Sequence, residues 1–99
     1  MNKIGYIYIL ASKKDGVLYI GVTSNLIRRI YEHKEWIYDW FSKRYFVKKL
    51  VYYEECPTME LAIKREKQIK WGNRKKKIEL IQSINPHRND LYENVREQN

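Results

Sequence analysis

The sequence predicts an α/β fold in which a small three-stranded mixed β-sheet is flanked by helices, in the order ββαβαα. Three observations lead to this prediction. Two runs of β-branched and aromatic residues near the N-terminus are separated by an Asp-Gly turn signal, which predicts a β-hairpin. Four later segments repeat apolar residues at helical or strand spacing. Both faces of the hairpin carry bulky side chains, so helices are expected on both sides of the sheet.

The hairpin begins with Ile4–Leu10, which is rich in β-branched and aromatic residues and is predicted to be a strand. In a strand, Tyr6 and Tyr8 project to one face and the intervening isoleucines to the other. The Asp-Gly pair at residues 15–16 is expected to reverse the chain into a second strand over Val17–Val22.

The third element is an amphipathic helix predicted from Leu26 to about Lys34. It follows the polar segment 23–25, in which each side chain can accept a hydrogen bond from a free backbone N–H group at a helix start. On a helical wheel with about 100° per residue, one face of this helix is apolar. The residues of this apolar stripe are Leu26, Ile27, Ile30 and Tyr31.

Two basic side chains border that stripe. Arg29 and His33 are four residues apart and fall beside the apolar face, on the rim of the predicted core. Arg28 and Glu32 fall on the opposite face and are expected to point to water. The wheel therefore predicts that Arg29 and His33 face a cleft, whereas Arg28 does not.

The second half of the chain contains one more predicted strand and two more predicted helices. Leu50–Glu54 is the strand. Thr58 is expected to cap the second helix, and the Gly-Asn pair at residues 72–73 ends its pattern. The third helix is predicted from Arg74 to about Ile84, before the Asn-Pro pair at residues 85–86.

With 99 residues, the chain is long enough for one domain with a single modest core. We place this domain at residues 1–85 and a C-terminal tail, partly packed or frayed, at residues 86–99. No apolar run approaches the roughly 18–20 residues that span a bilayer, and the N-terminus lacks a signal-peptide pattern. The single cysteine, Cys56, excludes an intramolecular disulfide and a cysteine-based zinc site, which fits a reducing cytoplasm.

The net charge of +8, from 20 basic and 12 acidic residues, is unevenly distributed. Eight of the 14 residues at positions 64–77 are Lys or Arg. Such a run is either a solvated helix face or a surface that attracts phosphate groups. On the second interpretation, the expected nucleic-acid contacts are Lys43, Arg44, Lys67, Lys70, Arg74, Lys75, Lys76 and Lys77.

One carboxylate of the second predicted helix falls on its apolar face. Met59, Ala62, Ile63, Ile69 and the stem of Lys70 line that face, and Glu66 lies in the middle of it. An ionised carboxylate there is costly unless it is paired or bound to a metal. A magnesium ion accepts a single carboxylate when water and phosphate fill its other positions. Glu66 is therefore either a metal ligand or the structural partner of a nearby Arg or Lys.

Six short segments occur in a specific order along the chain. They are Tyr6-Ile7-Tyr8, Tyr19-Ile20-Gly21, Asn25-Leu26-x-Arg28-Arg29, Tyr52-Tyr53-Glu54, residues 64–70, and Asn85-Pro86 with Asp90-Leu91-Tyr92. Each is weak alone, but in this order and at this spacing they resemble the GIY-YIG nuclease family. Within that family the chain is similar to the small stand-alone bacterial proteins, and it resembles the N-terminal nuclease domain of the excision-repair endonuclease subunit.

The resemblance implies a metal-dependent endonuclease that hydrolyses phosphodiester bonds in DNA, with a role in repair or recombination. It implies that Tyr8 and Tyr19 are the two motif tyrosines, that Arg29 is the catalytic arginine and that Glu66 binds Mg²⁺ or Mn²⁺. His33 occupies the position of a candidate base or phosphate contact. The expected partner is nucleic acid, DNA before RNA, with no membrane and no small-molecule cofactor.

Two alternatives belong to other functional classes. In the first alternative, the chain is a nucleic-acid-binding module that keeps the nuclease fold without turnover. In the second, it is an interaction protein that uses the aromatic residues of Trp36–Phe41. That segment can also extend the first helix, pack over the core edge or stack on bases. The identity of the base stays open as well, because an unperturbed phenol titrates near pH 10 and needs help from the metal or from Arg29.

Overall fold

The structure is a computed structural model that describes residues 4–12, 16–35 and 48–97. The strands are β1 (Gly5–Ala11), β2 (Leu18–Thr23) and β3 (Lys49–Cys56). The helices are α1 (Leu26–Lys34), α2 (Met59–Trp71), α3 (Arg74–Ile84) and α4 (Tyr92–Glu97). The predicted α/β class and the order ββαβαα are confirmed, and α4 follows as a short additional helix.

The sheet is antiparallel throughout the described residues, which corrects the prediction of a mixed sheet. Its strand order is β2-β1-β3, and β1 pairs antiparallel with both neighbours. The two outer strands run in the same direction, because each of them is antiparallel to β1. The central strand separates them, so these two parallel strands do not pair.

Two core layers cover the two faces of the sheet, as the bulky hairpin predicts. Side chains of β1 alternate between the layers, with Ile7 and Ile9 on one face and Tyr8 and Leu10 on the other. The first layer adds Ala62 and Ile69 of α2 and Ile81 of α3. The second layer adds Leu26 and Ile30 of α1 and Val95 of α4.

The segment after α3 is packed against β3. The side-chain amide of Asn85 donates hydrogen bonds to the Val51 carbonyl at 3.0 Å and to the Asn89 carbonyl at 2.8 Å. In return, the Asn89 N–H group donates to Oδ1 of Asn85 at 3.0 Å. Because Asn85 is buried, these bonds satisfy polar groups that water does not reach.

A second polar anchor joins the C-terminal segment to α1. One carboxylate oxygen of Asp90 accepts a hydrogen bond from the Leu50 N–H group at 3.2 Å, and the other accepts one from the Lys34 ammonium group. The Leu91 N–H group donates to the Leu50 carbonyl at 2.8 Å. These contacts order the chain as far as α4, whose Val95 is buried.

Among the described residues, no helix has the length and apolar character needed to cross a membrane.

Candidate active site

The centre of the sheet carries a buried pair formed by Tyr8 of β1 and His33 of α1. Both side chains are fully buried, and the Tyr8 hydroxyl lies 3.0 Å from Nε2 of His33. Their rings meet edge to face, with centroids 5.6 Å apart. In the tautomer with an unprotonated Nε2, the Tyr8 hydroxyl donates to the imidazole. The pair therefore combines a proton donor and a proton acceptor inside the core.

Tyr19 of β2 completes a cluster of three rings. Its ring centroid lies 5.1 Å from that of His33 and 6.3 Å from that of Tyr8. The His33 ring is edge-on to both phenols, with interplanar angles of 61° and 63°. Tyr19 is half-buried, whereas the other two side chains are fully buried. Tyr19 is thus the member of this cluster that presents surface to solvent.

Gly21 makes room for the cluster. It lies opposite Tyr8 in the register between β1 and β2. A Cβ atom at residue 21 would overlap the Tyr8 ring, since it would lie under 3.0 Å from Cζ and Oη. The phenol therefore crosses the neighbouring strand at the one position without a side chain. In this chain, the missing side chain of Gly21 thus leaves the space that the Tyr8 ring occupies.

The buried face of α1 is rotated relative to the predicted wheel. Its buried residues are Leu26, Ile30 and His33, whereas Tyr31 is 49% exposed. Placing Tyr31 on the apolar stripe was therefore wrong, and His33 lies inside the core rather than on its rim. The cause is the hydrogen bond to the hydroxyl of β1, because a buried imidazole needs a polar partner that α1 itself does not supply.

Arg29 borders the buried face of α1, while Arg28 is turned to solvent. Their side chains are 26% and 75% exposed, respectively. Glu32 was expected to point to water, but it is 24% exposed and its carboxylate lies 3.4 Å from Nε of Arg29 and 3.5 Å from Nε of Arg28. The electrostatic attraction of two arginines one turn earlier explains this position. A phosphate that approaches Arg29 meets the Glu32 carboxylate as a competitor.

Glu66 occupies a semi-buried position on α2, between the buried Ala62 and Ile69. Its side chain is 15% exposed, and Oε2 lies 3.5 Å from Nζ of Lys70. The Lys70 side chain is 51% exposed, so this ion pair contributes little to stability and is readily displaced. Ile63, which the wheel assigned to the same face, is 39% exposed instead.

The described part of the chain contains no group of three or more His, Cys, Asp or Glu side chains placed to hold a metal ion. The donor set at Glu66 is therefore one carboxylate next to an exposed lysine. A single carboxylate fits Mg²⁺ or Mn²⁺, which keep several water ligands and bind through substrate phosphates. The residues present are compatible with a metal ion of this kind.

An open groove of about 580 Å³ joins Tyr19 to the basic helices. One wall consists of residues 17–20 at the start of β2, and the other of Lys70, Arg74 and Lys77. Lys70 is also the ion-pair partner of Glu66. The groove thus brings three of the predicted nucleic-acid contacts to the edge strand that carries Tyr19, whose ring packs on the α1 side of the sheet.

Two of these basic residues also stabilise the fold. The Arg74 guanidinium donates to the Gly16 carbonyl at 2.8 Å and ties α3 to the β-hairpin. The Lys77 ammonium group donates to the carbonyls of Gly72 at 2.8 Å and Lys70 at 3.3 Å, which caps the end of α2. The predicted contacts that are simply exposed are Lys67, Lys75 and Lys76. Lys43, Arg44 and the aromatic segment Trp36–Phe41 lie outside the described residues.

A second semi-buried carboxylate, Glu54 of β3, was missed at the sequence level. Its carboxylate accepts a hydrogen bond from the Tyr52 hydroxyl. It also accepts two from the Arg65 guanidinium, one from Nε and one from a terminal nitrogen, each at 3.0 Å. Burial alone would raise the pKa of Glu54, but the hydrogen bonds from Arg65 and Tyr52 outweigh it and lower the pKa. The alternation of β3 contained the signal, since residues 52 and 54 share the face that α2 covers. The ion pair between Glu54 and Arg65 ties α2 to the sheet at the residue directly before Glu66.

Comparisons with known proteins match most of the chain. Residues 4–79, from the start of β1 into α3, match the family model of the GIY-YIG catalytic domain. The chain is 40% identical over 76 residues to a UPF0213 protein of Staphylococcus saprophyticus, which covers 77% of this chain and 92% of the relative. It is 38% identical over 84 residues to a UPF0213 protein of Syntrophus aciditrophicus, which covers 84% and 94% of the two chains.

A solved structure is also similar. The solution NMR structure of a UPF0213 protein from Bacillus halodurans has a TM-score of 0.49 and 32% identity, over 79% of this chain and 82% of that one. The family model spans the strands and helices that hold the ring cluster, Arg29 and Glu66. The protein therefore belongs to the family of the GIY-YIG catalytic domain, a family of nucleases.

Proposed function

We propose that this protein is a metal-dependent endonuclease that hydrolyses phosphodiester bonds in DNA, with a role in repair or recombination. The observation that supports this most directly is the buried hydrogen bond of 3.0 Å between Tyr8 and His33, with the Tyr19 ring against the imidazole. Membership of a nuclease family supports the same class of chemistry.

The ring cluster is energetically less favourable than an apolar core of the same size. A buried phenol and a buried imidazole each carry polar atoms that lose water, so an aliphatic pair of similar volume would pack there at lower cost. Departures of this kind from the simplest core are expected at functional sites. The burial of Tyr8 and His33 therefore supports a chemical role for the cluster.

Within the cluster, we assign the water-facing role to Tyr19. Tyr8 is fully buried and hydrogen-bonded to His33, whereas Tyr19 has exposed surface and lines the basic groove. In this proposal, the Tyr19 phenol orients the attacking water and accepts its proton. The Tyr8 hydroxyl orients the His33 ring through its hydrogen bond to Nε2, and the His33 ring in turn packs edge-on against Tyr19.

Arg29 supplies positive charge for the phosphoryl oxygens. A guanidinium binds phosphate through two parallel hydrogen bonds and stabilises the charge that develops in the transition state. Arg29 is 26% exposed and lies one helical turn before the buried His33, which supports this assignment. Glu32 holds the guanidinium near this orientation in the absence of substrate.

Glu66 would hold the metal ion, and Lys70 would exchange its contact with Glu66 for one with a substrate phosphate. When bound, a divalent ion neutralises phosphoryl charge and makes water more acidic. The groove between β2 and the cations of α2 and α3 would carry the DNA backbone past Tyr19. Contacts of this type are with phosphates, so binding is expected to depend on salt and to be largely independent of sequence.

The proposal is tested by incubating the protein with single-stranded, duplex, flapped and branched DNA in Mg²⁺, in Mn²⁺ and in excess chelator. We expect cleavage of at least one substrate with metal, no cleavage with chelator, and none by an Arg29→Ala variant. Binding of these substrates without cleavage in either metal would contradict the proposal. That result would indicate a nucleic-acid-binding module that retains the nuclease fold.

A further inference from the structure

Trp71, the last residue of α2, is the most exposed large apolar side chain of the described residues, at 83%. On the helical wheel it lies roughly 160–180° from the buried Ala62 and Ile69, so it takes no part in the core. The two other apolar residues exposed on α2 are Leu61 and Ile63, at 47% and 39%. The indole is therefore presented to solvent on the outer face of the helix.

Two grooves meet at this indole. One has a volume of about 550 Å³ and is lined by Leu61, Lys64, Arg65, Gln68 and Trp71. The other has a volume of about 390 Å³, and besides Arg65, Gln68 and Trp71 it is lined by Ile69, Gly72, Lys76, Lys77 and Leu80. Trp71 is thus a wall shared by two depressions, which distinguishes it from an isolated surface residue.

Both grooves are positively charged. No described residue that lines either groove is acidic. The charge of Arg65 is matched by Glu54, so the excess positive charge comes from Lys64, Lys76 and Lys77. Lys64 and Lys76 are exposed and lie in different grooves, so a polyanion that crosses Trp71 meets a cation on each side.

The surface around Trp71 is continuous with the groove at Tyr19. Lys77 lines both the groove of Trp71 and the groove of Tyr19. Along α2, Trp71 follows Glu66 by five residues, a rise of about 7–8 Å. A strand held in the Tyr19 groove can therefore continue onto the indole.

We propose that Trp71 is a stacking platform for an unpaired base of a DNA strand, with phosphates bound by Lys64 and Lys76. A basic groove combined with an exposed aromatic ring suits single strands, because every base offers a π-face and the backbone offers charge. In a duplex the base faces are already stacked and the indole has no partner. This inference rests on the proposed function and specifies its substrate class: DNA with a single-stranded segment beside the cleavage groove.

The test compares binding of an oligothymidylate of about 15 nucleotides with binding of a duplex of the same length. For Trp71→Ala, we expect affinity for the single strand to fall by about 5- to 150-fold, the usual range for losing one stacked base, and affinity for the duplex to stay within about twofold. Trp71→Phe keeps an aromatic face and should retain most of the affinity. The slope of log affinity against log salt should be unchanged in Trp71→Ala, because no charge is removed.

Two matched variants separate stacking from other effects. Lys76→Ala should weaken binding of both probes and reduce the salt slope by about 0.7–0.9. Ile84→Ala removes another exposed apolar side chain, 55% exposed and absent from the linings of both grooves, and should change neither affinity. Thermal unfolding of each variant verifies that the fold is intact.

The inference would be overturned if Trp71→Ala bound the single strand and the duplex each with the affinity of the wild type. A change in oligomeric state by sedimentation, with DNA binding unaltered, would also overturn it and assign the indole to self-association. Cleavage is scored separately. If the wild type cleaves and Trp71→Ala binds normally, the proposed function stands and the stacking platform fails; if single strands bind through Trp71 but are never cleaved, the reverse holds.

Discussion

Gly21 lies directly opposite Tyr8 on the neighbouring strand, and the Tyr8 ring fills the space that a side chain at residue 21 would need. The second motif of the family thus provides room for the tyrosine of the first. The buried hydroxyl then reaches Nε2 of His33 on α1. The absence of a side chain at residue 21 therefore allows Tyr8 of β1 to reach His33 of α1 within the proposed site.

Gly21→Ala is therefore expected to disturb both folding and activity. The new methyl group collides with the Tyr8 ring, and overpacking of this kind costs about 1–3 kcal/mol. We expect a lower free energy of unfolding in urea and a loss of cleavage as the ring leaves His33. Gly72→Ala is the comparison, because a Cβ there makes one tight contact, 3.3 Å to the Ile69 carbonyl oxygen, and meets no ring. Equal effects of the two substitutions would contradict the proposed role of Gly21.

The two adjacent arginines of α1 should differ in their effect on catalysis. Arg29→Ala is expected to lower the rate of cleavage by about 10³–10⁵, the range for an arginine that stabilises phosphoryl-transfer charge. Arg28→Ala should change the rate little, because its side chain is 75% exposed and points away from the ring cluster. Single-turnover cleavage rates measure both. Equal losses would show that neither arginine acts on the transition state.

The lysines after α2 should separate into two groups. Neutralising Lys75 and Lys76, which are exposed, should lower the slope of log DNA affinity against log salt by about 0.7–0.9 per phosphate contact. Lys77→Ala should also lower the free energy of unfolding by about 0.5–1.5 kcal/mol, because its ammonium group caps α2. An unchanged slope in the Lys75 and Lys76 variants would mean that this run is only a solvated face.

The Glu54–Arg65 pair predicts a specific loss of stability in acid. The pKa of Glu54 in the folded protein is lower than the ordinary value of a glutamate, about 4.5, because Arg65 and Tyr52 donate hydrogen bonds to its carboxylate. The stability contributed by the pair is therefore present above about pH 4.5 and is lost as pH falls through the lower folded pKa. Glu54→Gln should flatten this part of the profile of unfolding free energy against pH. Glu79→Gln, on an exposed residue of α3, should leave the profile unchanged.

Local signals in the sequence were sufficient for the three strands and the first three helices, but not for α4. Asn25 and Thr58 cap α1 and α2 through hydrogen bonds of 3.1 and 3.2 Å to backbone N–H groups three residues later. The bounds of α3 follow from the Asn at its start and the Asn-Pro pair at its end. Caps and periodicity act over a few residues, so a sequence contains all the information they need.

The positions that sequence reasoning missed depend on distant partners. His33 is buried because a hydroxyl 25 residues earlier reaches it, and Glu54 is semi-buried because Arg65 covers it from α2. The C-terminal segment is held by side chains of Asn85 and Asp90 that bond to the backbone of β3. A helical wheel ranks side chains by hydropathy alone and contains no term for such polar pairs.

The central claim, that Glu66 binds the metal ion of a nuclease, is tested most directly by Glu66→Gln. The substitution keeps the shape of the side chain and removes its charge. We expect the variant to lose metal-dependent cleavage and the stabilisation by Mg²⁺ that the wild type should show in thermal unfolding. It should still bind DNA and fold as stably as the wild type without metal, since the ion-pair partner, Lys70, is half exposed. A large drop in melting temperature with an unchanged response to Mg²⁺ would contradict the claim and assign Glu66 a structural role.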